Sequence, residues 1–242
     1  MQSPRRANRV IPLRDRRATP DDQPTRVPSH SPAARPFGAA GRSLPPRRSW
    51  SAGLLERLRR MPDRLLHRSR RRAALAALRE RRPPASVLVL CNGNIFRSPF
   101  VAAVLQRELN VRGAGSIRVE SAGFAAHGRP SPPHAVAAAA RHGIDLAGHT
   151  SQLLVAPVAR AADLIVVMEE LQRRTICERF GRAARDVLLL GDLDPMPVTS
   201  RAIEDPVEQD QEVCDRAYAR IARCVGELAR ALTASSGSSA RP

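Results

Sequence analysis

Four short apolar runs, at residues 87–90, 117–121, 164–168 and 187–190, limit the possible folds of this chain more than any other feature. They are short runs rich in Val, Leu and Ile, suited to strands covered on both faces. The stretches between them read as helices. One spans 99–111, with Pro99 in its first turn, where a missing N–H costs little. A second spans about 134–142 and stops at Gly143, suited to a left-handed helix end. A third covers about 169–180 and a long one about 207–232. Strands alternating with helices imply crossover connections. The expected fold is therefore α/β, an open four-stranded parallel sheet with helices on both faces.

The N-terminal third is built differently. Residues 1–84 hold 22 arginines against 6 acidic residues, whereas 85–242 hold 18 against 17, so nearly all of the formal +17 lies in the arm. A nearly neutral remainder argues against reading the whole chain as a nucleic-acid binder. Every basic residue is arginine, which points to a GC-rich coding bias rather than to any one site. Residues 1–50, crowded with Pro, Arg and Ser, read as a disordered arm that cannot bury enough apolar surface to offset its ordering entropy. Residues 51–84 read as an Arg-rich helical linker, divided in two by Pro62. The expected domain is then 85–233, with a disordered tail at 234–242. An apolar run long enough to span a bilayer, a secretory leader and a zinc-type cysteine spacing are all missing from the pattern, so a reducing cytoplasm and no metal or other cofactor are expected.

The segment VLVLCNGNIFRSPF, 87–100, carries the chemistry. In an open parallel sheet, ligands bind beyond the carboxyl ends of the strands. Cys91 follows the first run and Pro99 opens a helix, so the loop between them faces a helix N-terminus, where free N–H groups favour an anion. Gly93 offers unusual backbone angles, and Asn94 tolerates the left-handed region. Arg97 adds a planar fork that can hold two phosphate oxygens at once. A cationic cradle of this kind favours the thiolate, the nucleophilic form of a cysteine. Ser98 is placed to donate a hydrogen bond to the same sulfur. A bare Cys-x5-Arg spacing means little in a chain with 40 basic residues. The succession strand, Cys, Gly-Asn, Arg-Ser-Pro, helix means much more.

VLVLCNGNIFRSP closely resembles the active-site loop of bacterial-type low-molecular-weight protein tyrosine phosphatases. The blocks ESAGFAAHGRPSPPHAVAAAARHGIDLAGHTSQLL, AADLIVVMEE and IEDP follow in that family's order, over about residues 86–232. The resemblance implies the phosphotyrosine protein phosphatase I-like fold and hydrolysis of phosphotyrosine in proteins. It implies Cys91 as nucleophile, Arg97 as transition-state clamp and Asp205 as general acid and base. From its position before Pro206 alone, Asp205 reads rather as a helix N-cap, and the acid role is what the resemblance implies. The loop residues Asn92, Gly93, Asn94, Ile95, Phe96 and Ser98 would bind the phosphoryl group, with Asn94, Ser121 and His149 in a supporting network. Ile95, Phe96, Phe124 and His127 are expected to line the cleft, and His134 and His142 to face solvent or cap helices.

The chain departs from the family pattern in places. Phe96 stands where many relatives carry a second cysteine, Asn92 at a usually apolar position, and Val207 and Glu208 where aromatic residues often follow the acid. Two related activities compete. A protein-arginine phosphatase would be expected to carry threonine in place of Ile95. An arsenate reductase would need two further cysteines close in sequence, whereas Cys177, Cys214 and Cys224 are spread out. As partner, the resemblance suggests a bacterial tyrosine kinase that controls surface-polysaccharide export. The basic arm reads either as a contact for an anionic membrane or nucleic acid, or as a solvated extension with no partner.

Overall fold

The computed structural model describes residues 50–125 and 128–234, with side chains from Asp63 onward. The proposed disordered arm and tail, together with His127, fall outside the described residues.

Four strands form one fully parallel sheet in the order β2-β1-β3-β4: β1 Ser86–Cys91, β2 Arg118–Gly123, β3 Leu164–Val167 and β4 Val187–Leu189. Alternate residues of the central strands feed two separate cores, as a side-chain period of two requires. Val87, Val89, Leu164 and Val166 join one cluster with α2 (Arg97–Val111), α3 (Pro133–Ala140) and α6 (Gln211–Ala234). Leu88, Leu90, Ile165 and Val167 join the other, with Ala159 of α4 (Ala156–Ala161) and Ile176 of α5 (Glu170–Phe180). Both sheet faces are therefore covered. The long α6 buries Cys214, Ala217, Tyr218, Ile221, Cys224, Val225 and Leu228, one stripe at three- and four-residue steps.

The strands and three of the helices lie within a few residues of the expected positions. Cys91 closes β1, paired with Gly123, rather than following the strand, and α2 begins at Arg97 rather than Pro99. The loop between them is therefore only five residues, 92–96. Pro99 still sits in the first turn of α2, where its missing donor would have had no partner. α6 starts at Gln211, not 207; Glu208 has φ 60, and Asp210 Oδ1 caps the helix by accepting from Val213 N at 2.9 Å. The six-residue α4 has too few turns to show a periodicity in the sequence.

The largest difference lies upstream. α1 runs unbroken over Trp50–Glu80, so Pro62 does not divide it. Proline removes one hydrogen bond and crowds the preceding turn, but the turns that follow are held by packing. Leu75 and Leu78 are buried in the first core, His67 Nε2 donates to Asp194 O at 3.0 Å, and Arg71 pairs with Glu227 at 2.5 Å. From Asp63 on, the expected linker is a docked helix.

Candidate active site

The site forms where β1 gives way to α2, and its shape is set by Asn94. This residue takes the left-handed conformation its type tolerates (φ 51), whereas Gly93 does not use a positive φ. The Asn94 side chain then fastens the loop from inside. Its Nδ2 donates to Ser98 Oγ at 2.8 Å and to Ser121 Oγ at 2.9 Å, and its Oδ1 accepts from Gln152 N at 2.7 Å. His149 Nε2 lies 2.7 Å from Asn94 O; a carbonyl can only accept, so this nitrogen carries the proton. The network expected of Asn94, Ser121 and His149 is present, and the Gln152 amide joins it.

Cys91, 2 % exposed, lies at the base of the loop. Its Sγ is 3.0 Å from Ser98 Oγ and accepts from Asn94 N at 3.3 Å. The backbone N–H groups of Gly93, Ile95 and Phe96 meet no carbonyl of the described residues, and α2 has no side-chain cap. A helix start of this kind presents bare donors and the positive end of its dipole beside the sulfur. Tyr218 Oη donates to Phe96 O at 3.0 Å, and the Tyr218 ring stacks on Phe100 at 4.0 Å, so α6 steadies the far end of the loop.

Arg97 is 1 % exposed yet charged, and it is balanced from two directions. Nη1 donates to Glu169 Oε1 at 2.6 Å and to Ile203 O at 3.0 Å, and Nη2 pairs with Asp205 Oδ2. Its buried Nε–H has no hydrogen-bond partner. Leaving a buried donor unsatisfied costs about 1–3 kcal/mol, so an acceptor arriving there would be favoured.

Asp205 lies five residues before the capping Asp210 and touches Arg97 instead, which removes the N-cap alternative. Ile95 and Phe96, 4 % and 3 % exposed, are packed into the core rather than forming open cleft walls. Phe124 is half-buried against the second core, and Asn92 is exposed. His134 packs on the Phe96 ring (centroids 4.9 Å apart) and His142 on Phe100 (5.3 Å), so neither is simply a surface or capping residue. Burial pushes the Cys214 thiol up to about 11 and the Cys224 thiol up to about 12. Both stay protonated near neutrality, which does not suit a thiol relay.

Two contributors were not read from the sequence. Glu169 follows β3 by two residues, at the carboxyl end of the sheet where ligands gather, and that position was the available signal. Gly123 closes β2. A Cβ there would meet Asn92 O at 2.8 Å and Asn94 N at 2.9 Å, so only glycine lets the loop lie so close.

Comparison with known proteins follows this geometry closely. The sequence profile described as low molecular weight phosphotyrosine protein phosphatase matches residues 86–237. The probable low molecular weight protein-tyrosine-phosphatase EpsP of Ralstonia solanacearum is 36% identical over 141 residues, 58% of this chain and 90% of EpsP. The crystal structure of the tyrosine phosphatase Wzb from Escherichia coli K30 in complex with sulphate is 29% identical with a TM-score of 0.55, covering 61% of this chain and 97% of Wzb. The YwlE arginine phosphatase from Geobacillus stearothermophilus is 27% identical with a TM-score of 0.57, covering 66% of this chain and 99% of that one.

Proposed function

The chain belongs to the low molecular weight phosphotyrosine protein phosphatase family, and from that premise we propose that Cys91, Arg97 and Asp205 carry its reaction. The enzyme is a cysteine-based hydrolase of phosphotyrosine in proteins. The observation that carries the residue assignment is Arg97: a buried guanidinium with an unpartnered Nε–H, placed at the start of an uncapped helix and six residues from a buried cysteine.

The substrate dianion enters the loop and takes hydrogen bonds from the free N–H groups of Gly93, Ile95 and Phe96 and from Arg97. Its oxygens displace the Asp205 carboxylate from Nη2; parted from the guanidinium, that carboxylate takes up a proton from solvent, while Glu169 stays on Nη1 and keeps the fork oriented. The Cys91 thiolate attacks phosphorus in line. The P–S bond forms as the bond to the tyrosine oxygen breaks, and Asp205 gives its proton to the departing phenolate. Asp205, now a carboxylate, takes a proton from water as that water attacks phosphorus. The P–S bond breaks, the thiolate returns, and inorganic phosphate leaves. Ser98 Oγ steadies the sulfur as it leaves, and Asn94 holds Ser98 in place.

An assay of p-nitrophenyl phosphate and a phosphotyrosine peptide, with EDTA present, tests the assignment. Cys91→Ser should fall to background, and Asp205→Asn should lose about 10²–10⁴-fold on the peptide. Full activity in either variant would contradict it. The likeness to YwlE gives a reason to include a phosphoarginine peptide, whose faster turnover would move the substrate to phosphoarginine. Ile95→Thr should shift the ratio toward phosphoarginine.

The domain boundaries at 85 and 233, a cytoplasmic setting and a bacterial tyrosine kinase as substrate belong to the same reading. Among the described residues, no helix is long and apolar enough to cross a membrane. The basic arm is proposed as a contact for an anionic surface, and vesicle and nucleic-acid pull-downs with the full chain distinguish lipid, nucleic acid and no partner.

A further inference from the structure

The loop that carries Asp205 has little internal structure: residues 194–206 hold no helix and no strand. What fixes it is a set of hydrogen bonds from other elements. Ile203 N donates to Met168 O at 3.0 Å, and Arg220 donates to Ser200 O at 2.7 Å and to Ala202 O at 2.8 Å. Arg201 lays its fork on Asp192, at 2.8 and 2.7 Å. The Arg201 backbone lies over Gly191, where any Cβ would strike Arg201 O at 1.9 Å. Arg220 and Arg223 also donate to the Asp194 carboxylate, and further ties come from α1. Asp63 Oδ2 accepts from Arg201 N at 3.3 Å, and His67 Nε2 donates to Asp194 O at 3.0 Å. The Asp63 carboxylate is itself steadied by Arg70 at 2.6 Å.

We propose that α1 holds the catalytic acid in register, with Asp63 and His67 as positioning residues for Asp205. The family match begins at residue 86, so these ties are an addition of this chain to the family's domain. The path is short. Asp63 fixes the peptide at 201, Ile203 O in the same segment accepts from Arg97 Nη1, and Asp205 follows two residues later. Rotation of the 201 peptide therefore moves the acid relative to the phosphoryl group while leaving Cys91 and its loop in place. Its hydrogen bonds to Asp192 push the Arg201 guanidinium above its ordinary value, and the pair keeps the segment clamped on that side.

The proposal rests on the reading of Asp205 as general acid, and leaving-group dependence separates the two. A phosphotyrosine peptide expels a poor leaving group and needs the acid; p-nitrophenyl phosphate expels a far better one and needs it much less. In the full-length chain, Asp205→Asn should lower kcat/KM for the peptide far more than for the nitrophenyl ester. Asp63→Ala should do the same on a smaller scale, about three- to tenfold on the peptide and less than twofold on the ester, with KM little changed. Asp63→Asn keeps an acceptor for Arg201 N and should return the peptide-to-ester ratio to that of the wild type. Equal losses on both substrates in Asp63→Ala, or no loss, would overturn the proposal if Asp205→Asn keeps its selective defect. An Asp205→Asn variant with equal losses on both substrates would overturn the acid reading, and the proposal with it.

Discussion

Arg97 shows how one residue can be both stabilised and poised for chemistry. Two carboxylates and a carbonyl neutralise it in the buried site, while one N–H is kept without an acceptor. Lysine could supply the charge but not the planar fork that spans Glu169 and a phosphoryl oxygen together. Arg97→Lys should therefore lower kcat by about 10²-fold or more while the protein stays folded, checked by steady-state kinetics beside a thermal melt. A variant within twofold of the wild type would mean that the fork is not used. Cys91 and Arg97 could be read from the sequence because their separation along the chain is their separation in space. Glu169, 72 residues from Arg97, could not, since only the sheet order brings the two together. Asp205 was ambiguous in sequence because Asp before Pro suits both a cap and an acid. The fold gives the cap to Asp210, which removes that alternative.

At the level of elements, β1, β3 and β4 were legible because burial on both faces leaves an uninterrupted apolar run, whereas the edge strand β2 alternates exposed and part-buried residues before its buried end. The end of β2 carries a tighter constraint than its composition suggests. Gly123→Ala would drive a methyl into Asn92 O and Asn94 N, so it should cost about 1–3 kcal/mol and lower activity by shifting the loop, seen in paired melts and kinetics. Unchanged activity would show that the loop tolerates the shift. α6 adds a pH dependence. Burial raises the Cys224 thiol to about 12, so the folded chain keeps a proton that the unfolded chain loses from about pH 8.5 upward. Stability from this group is thus complete below that pH and falls as pH rises, by about 1.4 kcal/mol per pH unit between roughly pH 9 and 11. The chain has no lysine, only 4 cysteines and 1 tyrosine, so few groups share that window. Urea unfolding of wild type and Cys224→Ala across it should show a shallower slope in the variant; equal slopes would count against the assignment. α1 was misjudged because Pro62 is a local signal, and the contacts that override it, from His67 and Arg71 to residues more than a hundred positions away, are not.

Across the whole molecule, charge is divided unevenly, a strongly basic N-terminal third preceding a nearly neutral remainder. That α1 is part of the folded unit was not legible, because Leu75 and Leu78 look the same on a solvated helix as on a docked one. The redox behaviour also belongs to this scale. Phe96 stands where a second cysteine could protect Cys91, and Cys214 and Cys224 are buried thiols. Peroxide should therefore inactivate the enzyme without forming a Cys91 disulfide, a result read by mass spectrometry before and after dithiothreitol. Full recovery through such a disulfide would contradict it. The central claim is that the loop after β1 seats a phosphoryl group directly above the Cys91 sulfur. Rapid acid quench of wild type and Asp205→Asn during turnover of a phosphotyrosine peptide, followed by peptide mass mapping, tests it most directly. The account predicts a phosphoryl group on the Cys91 peptide and on no other, absent in Cys91→Ser; turnover with no such adduct, or with the adduct elsewhere, would contradict it.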